Sequence, residues 1–494
     1  MFKYNTPESC GISSEVLEKF VRHINENGYA MHSILMSRGE HIFMDGYWAP
    51  FDSESMYRMN SVTKSFVGIA VGLLIEEGRL SEDDKISKFF PEHAEKTAPL
   101  ARELTVGDLL RMRTTTQVSG HWVYDRLMDR VPQFFETKAL RPHDTMFKYD
   151  SPGSFVLGVI VEKLTGKPFI EYMKDRLLRR LGFSEDTCCI KGPDGYSWGD
   201  SGLLIKMRDL HAFAKFIMDG GVYNGERLMN EDFLRRATSK LSDTTVNGFK
   251  AHNTFGYGMQ IWKTYEDGFA FFGMGDQLVI CVPKKQFIFI CTADNQENPG
   301  ARPVIMDLLY HEVIKALADE PLTENAEAHK SLKTYLSGMK LVSLQGDATA
   351  TAAKAVDGVT YTLSDNSMKI AYIKINIDEE NRRGTLEYKN VQGEKCLHFG
   401  LCENVITEFP EEGYPDMQMN VPAPGNKYPC AVSAAWLEER KLGIRVQMIG
   451  RHLGGLFIAI GFSDDYREVG VHMVKNTRCF LDTYNGYAAG LRMG

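Results

Sequence analysis

The sequence has no CxxC pair, no apolar run long enough for a bilayer and no excess of basic side chains, and each absence removes a class of protein. Its nine cysteines are irregularly spaced: Cys188 and Cys189 are adjacent, and Cys281 and Cys291 lie in apolar strand-like runs. An odd number at such spacing fits neither a disulfide framework nor a zinc site and reads as idle or buried thiols in a reducing compartment. The longest apolar run, Phe66 to Ile75, is half of the roughly 20 residues that cross a bilayer. The opening MFKYNTPESCG lacks the apolar core of a signal peptide, so a cytoplasmic protein with no membrane partner is expected. Lys and Arg total 57 against 65 Asp and Glu, a formal net charge of -8. A nucleic-acid partner would call for a basic patch instead. None of the 13 histidines forms HExxH, and at His311-Glu312 the place of a second ligand holds Lys315. A Walker A lysine loop and a GxGxxG following a strand are absent too. No metal and no cofactor is expected, and there is no internal repeat or low-complexity tract.

What is present is an ordinary soluble globular mix, 43% hydrophobic and 25% charged over 494 residues. At about 150 residues per domain the length allows roughly two to four domains. From Ser33, SILMSRGEHIFMDGYW reads as a hairpin around Arg38-Gly39-Glu40. Ser61 to Gly78 is apolar on most faces and reads as a buried helix closed by glycine. Further helices are expected near Thr105–Met112, Ser154–Leu164, Phe169–Leu181, Met207–Met218 and Glu231–Thr238. Strands return from Tyr257 to Cys291 as a meander, YGMQIWKTY, FAFFG, QLVICV and FIFICT, and a last helix covers Val304–Leu317. Strands, many helices, strands and a helix do not alternate as parallel βαβ units would. The expected fold class is therefore α+β, an antiparallel sheet flanked by helices with an all-helical subregion. The first hairpin must then join strands more than 200 residues later, which makes residues 1–320 one domain. Polar residues 321–332 read as a linker. Beyond it, in 333–494, short alternating runs such as IAYIKINI, LGIRVQMIG and GLFIAIGF give a β-rich domain, a barrel or sandwich.

Three features compete for chemistry. Ser61-Val62-Thr63-Lys64 heads the apolar helix, and residues three apart share a helical face, so the Lys64 amine can reach the Ser61 hydroxyl. The helix start supplies oriented N–H groups for an anion. Burial disfavours a charged ammonium and so allows a neutral amine base. The plainer reading is an N-cap serine with a lysine that snorkels to water. A second Ser-x-x-Lys, Ser337 to Lys340, precedes no apolar helix, whereas the residues after Lys64 leave little polar face for a cation to follow. Gly195-Tyr196-Ser197-Trp198-Gly199 is a formal Gly-x-Ser-x-Gly, but loop-like residues flank it where a nucleophile elbow needs a strand and a helix. His311-Glu312, the third, fails as a metal site for the reason given above.

At SVTKSFVGIAVGLLIEEGRLSEDDKISKFFPE the chain resembles the serine β-lactamase and penicillin-binding protein superfamily, in its class C β-lactamase-like esterase and D-peptidase branch. LTVGDLLRMRTTT, Tyr149-Asp150-Ser151 with the helix after it, and FFGMGDQLVICVPKKQFIFICTADN resemble that family's later elements in the same order. The resemblance implies Ser61 as the acyl-accepting nucleophile, Lys64 as its activator and Tyr149 as second base. It also implies an oxyanion hole from the Ser61 N–H and the backbone at Gly273-Met274, Met274 being the donor. Ser151, Phe272 and Gly273 would line the substrate, with Gly273 letting it lie along the strand edge. Two positions depart from the family pattern. Ser151 stands where asparagine is usual, and Phe271-Phe272-Gly273 replaces the motif whose cation pairs with a β-lactam carboxylate. At most weak β-lactamase activity is expected.

The expected function is an acyl-enzyme serine hydrolase for small esters, amides or peptides containing D-amino acids. A non-catalytic penicillin-recognising or scaffold protein of the same fold, and an α/β-hydrolase-type lipase using Ser197, stay as alternatives. The β-rich domain suits a wall over the cleft or a dimerisation surface equally, which leaves a homo-oligomer open.

Overall fold

A computed structural model describes residues 3–115, 129–247, 253–477 and 480–493. Met1 and Gly494, the outer ends of the two expected domains, and Thr116, the end of LTVGDLLRMRTTT, lie outside these. The chain divides into two compact units, residues 1–340 with 417–420, and residues 341–416 with 421–494.

In the first unit a seven-stranded sheet is built as the hairpin pattern requires. Strands β1 (Met31–Arg38) and β2 (His41–Tyr47) form the early hairpin. β3 (Phe269–Gly273), β4 (Gln277–Val282) and β5 (Phe287–Ala293) form the late meander. β5 pairs antiparallel with β1, Phe287 opposite Arg38, which joins the two hairpins across the domain. The full order is Lys3–Tyr4, β2, β1, β5, β4, β3 and Trp262–Lys263. The run Tyr257–Tyr265 is a strand only at Trp262–Lys263. The Met259 and Gln260 N–H groups turn away to Ala237 O and Leu110 O, each at 3.0 Å, and so cannot join a ladder.

Helices cover both faces of this sheet. Helix α1 (Ser14–Glu26) brings Phe20 edge-on to Phe289 of β5, and the same core takes Phe272, Leu278 and Ile280. On the other face Phe271 packs against Phe213 of the Met207–Met218 helix, which stacks on Phe66 of α2 (Thr63–Glu76) at 3.7 Å. Alternating side chains of β3 thus serve opposite cores, the period of a strand buried on both sides. Helix α2 is buried from Thr63 to Leu74 and ends at Gly78 in the left-handed region, φ 66°. It lies against α3 (Ser151–Thr165). Its packing leaves Gly72 no room: an added Cβ would overlap Met229 Cε and the Phe233 ring. Gly72→Val is expected to cost about 1–3 kcal/mol by overpacking, since a ring cannot swing aside as a flexible chain end can; a thermal melt measures it.

The first unit closes with α4 (Ala301–Leu308) and α5 (Ala326–Ser337). The latter corrects the linker reading of 321–332. Asn325 caps α5 by accepting from Ala328 N at 3.1 Å. Ala328, Leu332 and Leu336, each four apart, are buried, and Asn25 of α1 donates to Tyr335 Oη at 2.7 Å. A single apolar stripe on an otherwise polar helix gives a polar-looking sequence. The α+β class of the first unit and the β-rich class of the second match the expected architecture. Among the described residues no helix is long and apolar enough to cross a membrane.

The second unit is a closed nine-stranded barrel. Its strands are β6 (Thr360–Leu363), β7 (Tyr372–Asp378), β8 (Arg383–Asn390), β9 (Gly393–Leu401), β10 (Pro429–Glu438), β11 (Lys441–Ile449), β12 (Leu453–Phe462), β13 (Glu468–Lys475) and β14 (Gly486–Arg492). They run in the order β9-β8-β7-β6-β14-β13-β12-β11-β10, and a parallel pairing of Gly400 with Ser433 closes β9 onto β10. Closure removes the open edges that would invite pairing with other chains. Leu442, Ile444, Val446 and Met448 alternate inward along β11 into the barrel core.

Candidate active site

Ser61 sits in a tight turn, Asn60–Val62, that runs directly into α2. The turn is anchored from both sides. Tyr57–Arg58 just before it pairs with Leu203–Ile205, and Thr63 Oγ1 just after it accepts from Leu203 N at 3.1 Å. Lys64 lies one turn on, 1% exposed, and its Nζ donates to Ser61 Oγ at 2.9 Å and to Asp200 O at 2.7 Å. The snorkelling alternative is therefore not what this lysine does; with Phe66, Val67 and Gly68 buried behind it, its amine ends at the serine.

Tyr149, two residues before α3, brings its ring to the same amine. Asp150 caps that helix, accepting from Gly153 N at 3.1 Å and from Thr114 Oγ1 at 2.5 Å, and the Lys148 N–H donates to Met112 O at 3.0 Å. These bonds fix the segment on either side of Tyr149. The ring stacks on Trp262 at 5.5 Å, and Lys64 Nζ lies 5.2 Å from its centroid. Ser61 and Lys64 of one motif thus meet Tyr149 from a separate stretch of sequence. Ser151 is the first residue of α3, half-buried beside the cap.

The end of β3 forms the opposite wall. Gly273 stands where an added Cβ would overlap the Met59 carbonyl oxygen, so its lack of a side chain lets the strand close on the Ser61 turn. The Met59 carbonyl thus stands on one side of Gly273, the position expected to let substrate lie along the strand edge. The turn between β3 and β4 has Gly275 at φ 75° and Asp276 at φ 70°, conformations suited to tight hairpins. Phe272 is buried beneath it, its ring 6.1 Å from Trp262.

Four residues of this site carry no signal in a motif search. Asn60 donates its amide to Met274 O at 2.9 Å. Asp200 holds Lys64 through a main-chain carbonyl, which any residue type could supply; its own carboxyl is raised above the usual carboxylate range by complete burial, with Lys64, Arg130 and Arg58 pulling it back. Gln260 ties three helices together beneath the site. It accepts from Ser65 and Ser154 at 2.8 and 2.6 Å and donates to Leu109 O at 2.8 Å. Arg302 of α4 stands over Phe272 at 5.3 Å, so the phenylalanine motif does have a cation beside it. That cation is committed: it donates to Gly273 O at 2.6 Å and pairs with Asp276 at 3.1 Å, both side chains being largely buried.

Ser197 is placed elsewhere and differently. Its N–H donates to Glu162 Oε1 at 3.2 Å, and Trp198 N bonds Ile190 O at 2.7 Å in a turn with Gly195 at φ 84°. Neither a strand before it nor a helix after it is present, so the segment is a glycine turn and not a nucleophile elbow. Burial raises the Glu162 carboxyl that the serine contacts.

A serine and a buried lysine one turn apart, with a tyrosine ring beside the amine and a sheet edge opposite, make up the candidate site. The β-lactamase family model matches residues 17–309, and the chain belongs to that family. It is similar to the 6-aminohexanoate-dimer hydrolase of Paenarthrobacter ureafaciens, 26% identical over 250 residues, 47% of this chain and 64% of that protein. It is also similar to penicillin-binding protein 4 of Amycolatopsis lactamdurans, 32% identical over 139 residues, 27% of this chain and 36% of that one. The matches therefore span less than two thirds of either curated relative. A solved structure from Bacillus anthracis, provisionally named a 6-aminohexanoate-dimer hydrolase, has the same fold at a TM-score of 0.55 and 15% identity, covering 66% of this chain and 89% of that one.

Proposed function

We propose that this protein is a serine hydrolase that works through an acyl-enzyme on small esters, amides or short peptides with D-amino acids. The observation that carries the reading is the 2.9 Å bond from buried Lys64 Nζ to Ser61 Oγ. Ser61 Oγ attacks the carbonyl carbon, its proton passing to Lys64 with Tyr149 as second carrier, and the tetrahedral oxyanion is met by the Ser61 and Met274 N–H groups. Loss of the alcohol or amine leaves the acyl group on Ser61, and water then releases the acid. A relative named for a dimer joined by an amide bond supports amides beside esters. Arg302 is neutralised by Asp276, which gives a substrate carboxylate little to bind at Phe271-Phe272 and favours uncharged esters and amides over β-lactams. A cytoplasmic site of action fits the buried thiols Cys10, Cys189, Cys281, Cys291 and Cys430.

A panel of p-nitrophenyl esters and D-peptide amides, run with Ser197→Ala beside wild type, tests the reading against the lipase alternative. Ser197→Ala is expected to keep kcat/KM within about two-fold, because Ser197 supports a turn and its loss leaves the Lys64–Ser61 pair untouched. Loss of activity in that variant, with folding intact, would point to the elbow mechanism. No turnover of any panel member and no acylation of Ser61 would favour the non-catalytic scaffold.

A further inference from the structure

The chemistry proposed above needs two N–H groups aimed at one oxygen, yet they belong to segments more than 200 residues apart. We propose that Asn60 is a positioning residue that sets the relation between them by clamping the turn after β3 to the turn that carries Ser61. The inference rests on the serine-hydrolase reading of this site.

The peptide unit between residues 60 and 61 carries the Ser61 N–H, so the Asn60 backbone sets where that N–H points. Asn60 holds φ at 46°, a left-handed conformation that asparagine tolerates better than most residues. Its side chain then reaches across to the other segment and donates to Met274 O at 2.9 Å. Asn60 is 4% exposed, so water does not compete for this bond. One residue therefore orients the first donor through its backbone and holds the second segment through its amide.

The second donor is fixed with equal economy. A trans peptide directs its C=O and N–H in opposite directions. Arg302 grips Gly273 O at 2.6 Å, and that carbonyl shares a peptide unit with the Met274 N–H, which must point away from the arginine. The neighbouring peptide, beginning at Met274 O, takes the Asn60 amide and a bond from Gln277 Nε2 at 3.2 Å. Asn295 N bonds Gly275 O at 3.1 Å, and Asn295 Nδ2 bonds Asp276 Oδ2 at 3.1 Å. Of these anchors, Arg302, Gln277 and Asn295 tie the turn to its own sheet and to α4. Asn60 is the anchor that ties it to the nucleophile. Donors held in place before the reaction stabilise the transition state without reorganisation.

Asn60 could instead be present only because φ is positive, and glycine separates the two roles. Asn60→Gly keeps the conformation and removes the amide; Asn60→Asp keeps the shape and removes the donor. With a p-nitrophenyl ester, both are expected to lose about 10- to 100-fold in kcat with KM within about two-fold, part of the ~10²–10³-fold that deleting a whole oxyanion donor costs. Affinity for a boronic acid, whose adduct is tetrahedral, should fall by a similar factor, while a non-covalent substrate analogue binds as before. Melting temperature should stay near wild type for Asn60→Gly, so that this variant carries the test if Asn60→Asp fails to fold. Wild-type kcat in Asn60→Gly overturns the proposal, as does a loss that appears equally in KM and in analogue affinity. Absence of Ser61 acylation in the wild-type enzyme overturns the hydrolase reading itself, and is seen before any Asn60 variant is made.

Discussion

Ser61→Ala is expected to lower kcat on an activated ester by about 10⁶-fold, leaving a fold whose melting temperature is close to wild type. The scale follows from removing the nucleophile of an acyl-enzyme pathway, whose loss alone costs nearly as much as loss of the whole catalytic set. No other residue takes over, because the attacking oxygen must lie within reach of both the Lys64 amine and the oxyanion donors. Ser65, one turn along α2, donates to Gln260 O at 2.8 Å on another side of the helix. Ser197 lies in the glycine turn, its backbone N–H bonded to Glu162 Oε1, with neither the strand nor the helix that a nucleophile elbow needs. The fold should survive, since Ser61 contributes one hydroxyl at the head of a helix held by Leu203 and by the core around Phe66. Steady-state kinetics and a melt on the same preparation check both halves.

Lys64→Ala is the second large effect, an expected loss of about 10²–10⁴-fold in kcat, the range supplied by a positioned general base. It differs from the serine variant in kind. Ser61 remains in place and can still be acylated by a reactive reagent, only slowly, so stoichiometric labelling should survive with a reduced rate. Stability should fall too. The variant leaves Asp200 O without its 2.7 Å donor and opens a void beside Val67 and Tyr149; an unmet buried acceptor costs about 1–3 kcal/mol. Lys64→Met refills much of that volume, so it should regain part of the stability and none of the rate. Single-turnover labelling rates, beside melts of both variants, separate the catalytic loss from the structural one.

The α+β class of the first unit and the β-rich class of the second were legible because their elements have local signatures, and the three residues proposed for the chemistry stand in short motifs. Hairpin residues punctuate β1 and β2, a helix apolar on most faces announces α2, and Ser-x-x-Lys and Tyr149-Asp150-Ser151 are short contiguous patterns. What could not be read acts through the backbone or from a distance. Asp200 contributes a carbonyl, Gly273 contributes the absence of a Cβ, and Gln260 joins helices that are remote in sequence. The motif strand itself holds two phenylalanines, Phe271 and Phe272, and the cation beside them, Arg302, arrives from the next helix once β5 has folded back. Helix α5 reads as linker in the sequence because Ala328, Leu332 and Leu336, with Tyr335 partly buried beside them, make a narrow stripe on a mostly polar segment. Nothing in local composition marks a stripe that narrow as buried until α1 is there to receive it.

The central claim is that Ser61 becomes acylated. Incubation with a fluorophosphonate, followed by proteolysis and mass spectrometry, tests it without knowledge of the natural substrate. One adduct per chain is expected, on the peptide containing Ser61, lost in Ser61→Ala and slowed in Lys64→Ala. An adduct on the peptide containing Ser197, or an unmodified Ser61 in a folded protein that has turned over an ester, would contradict it.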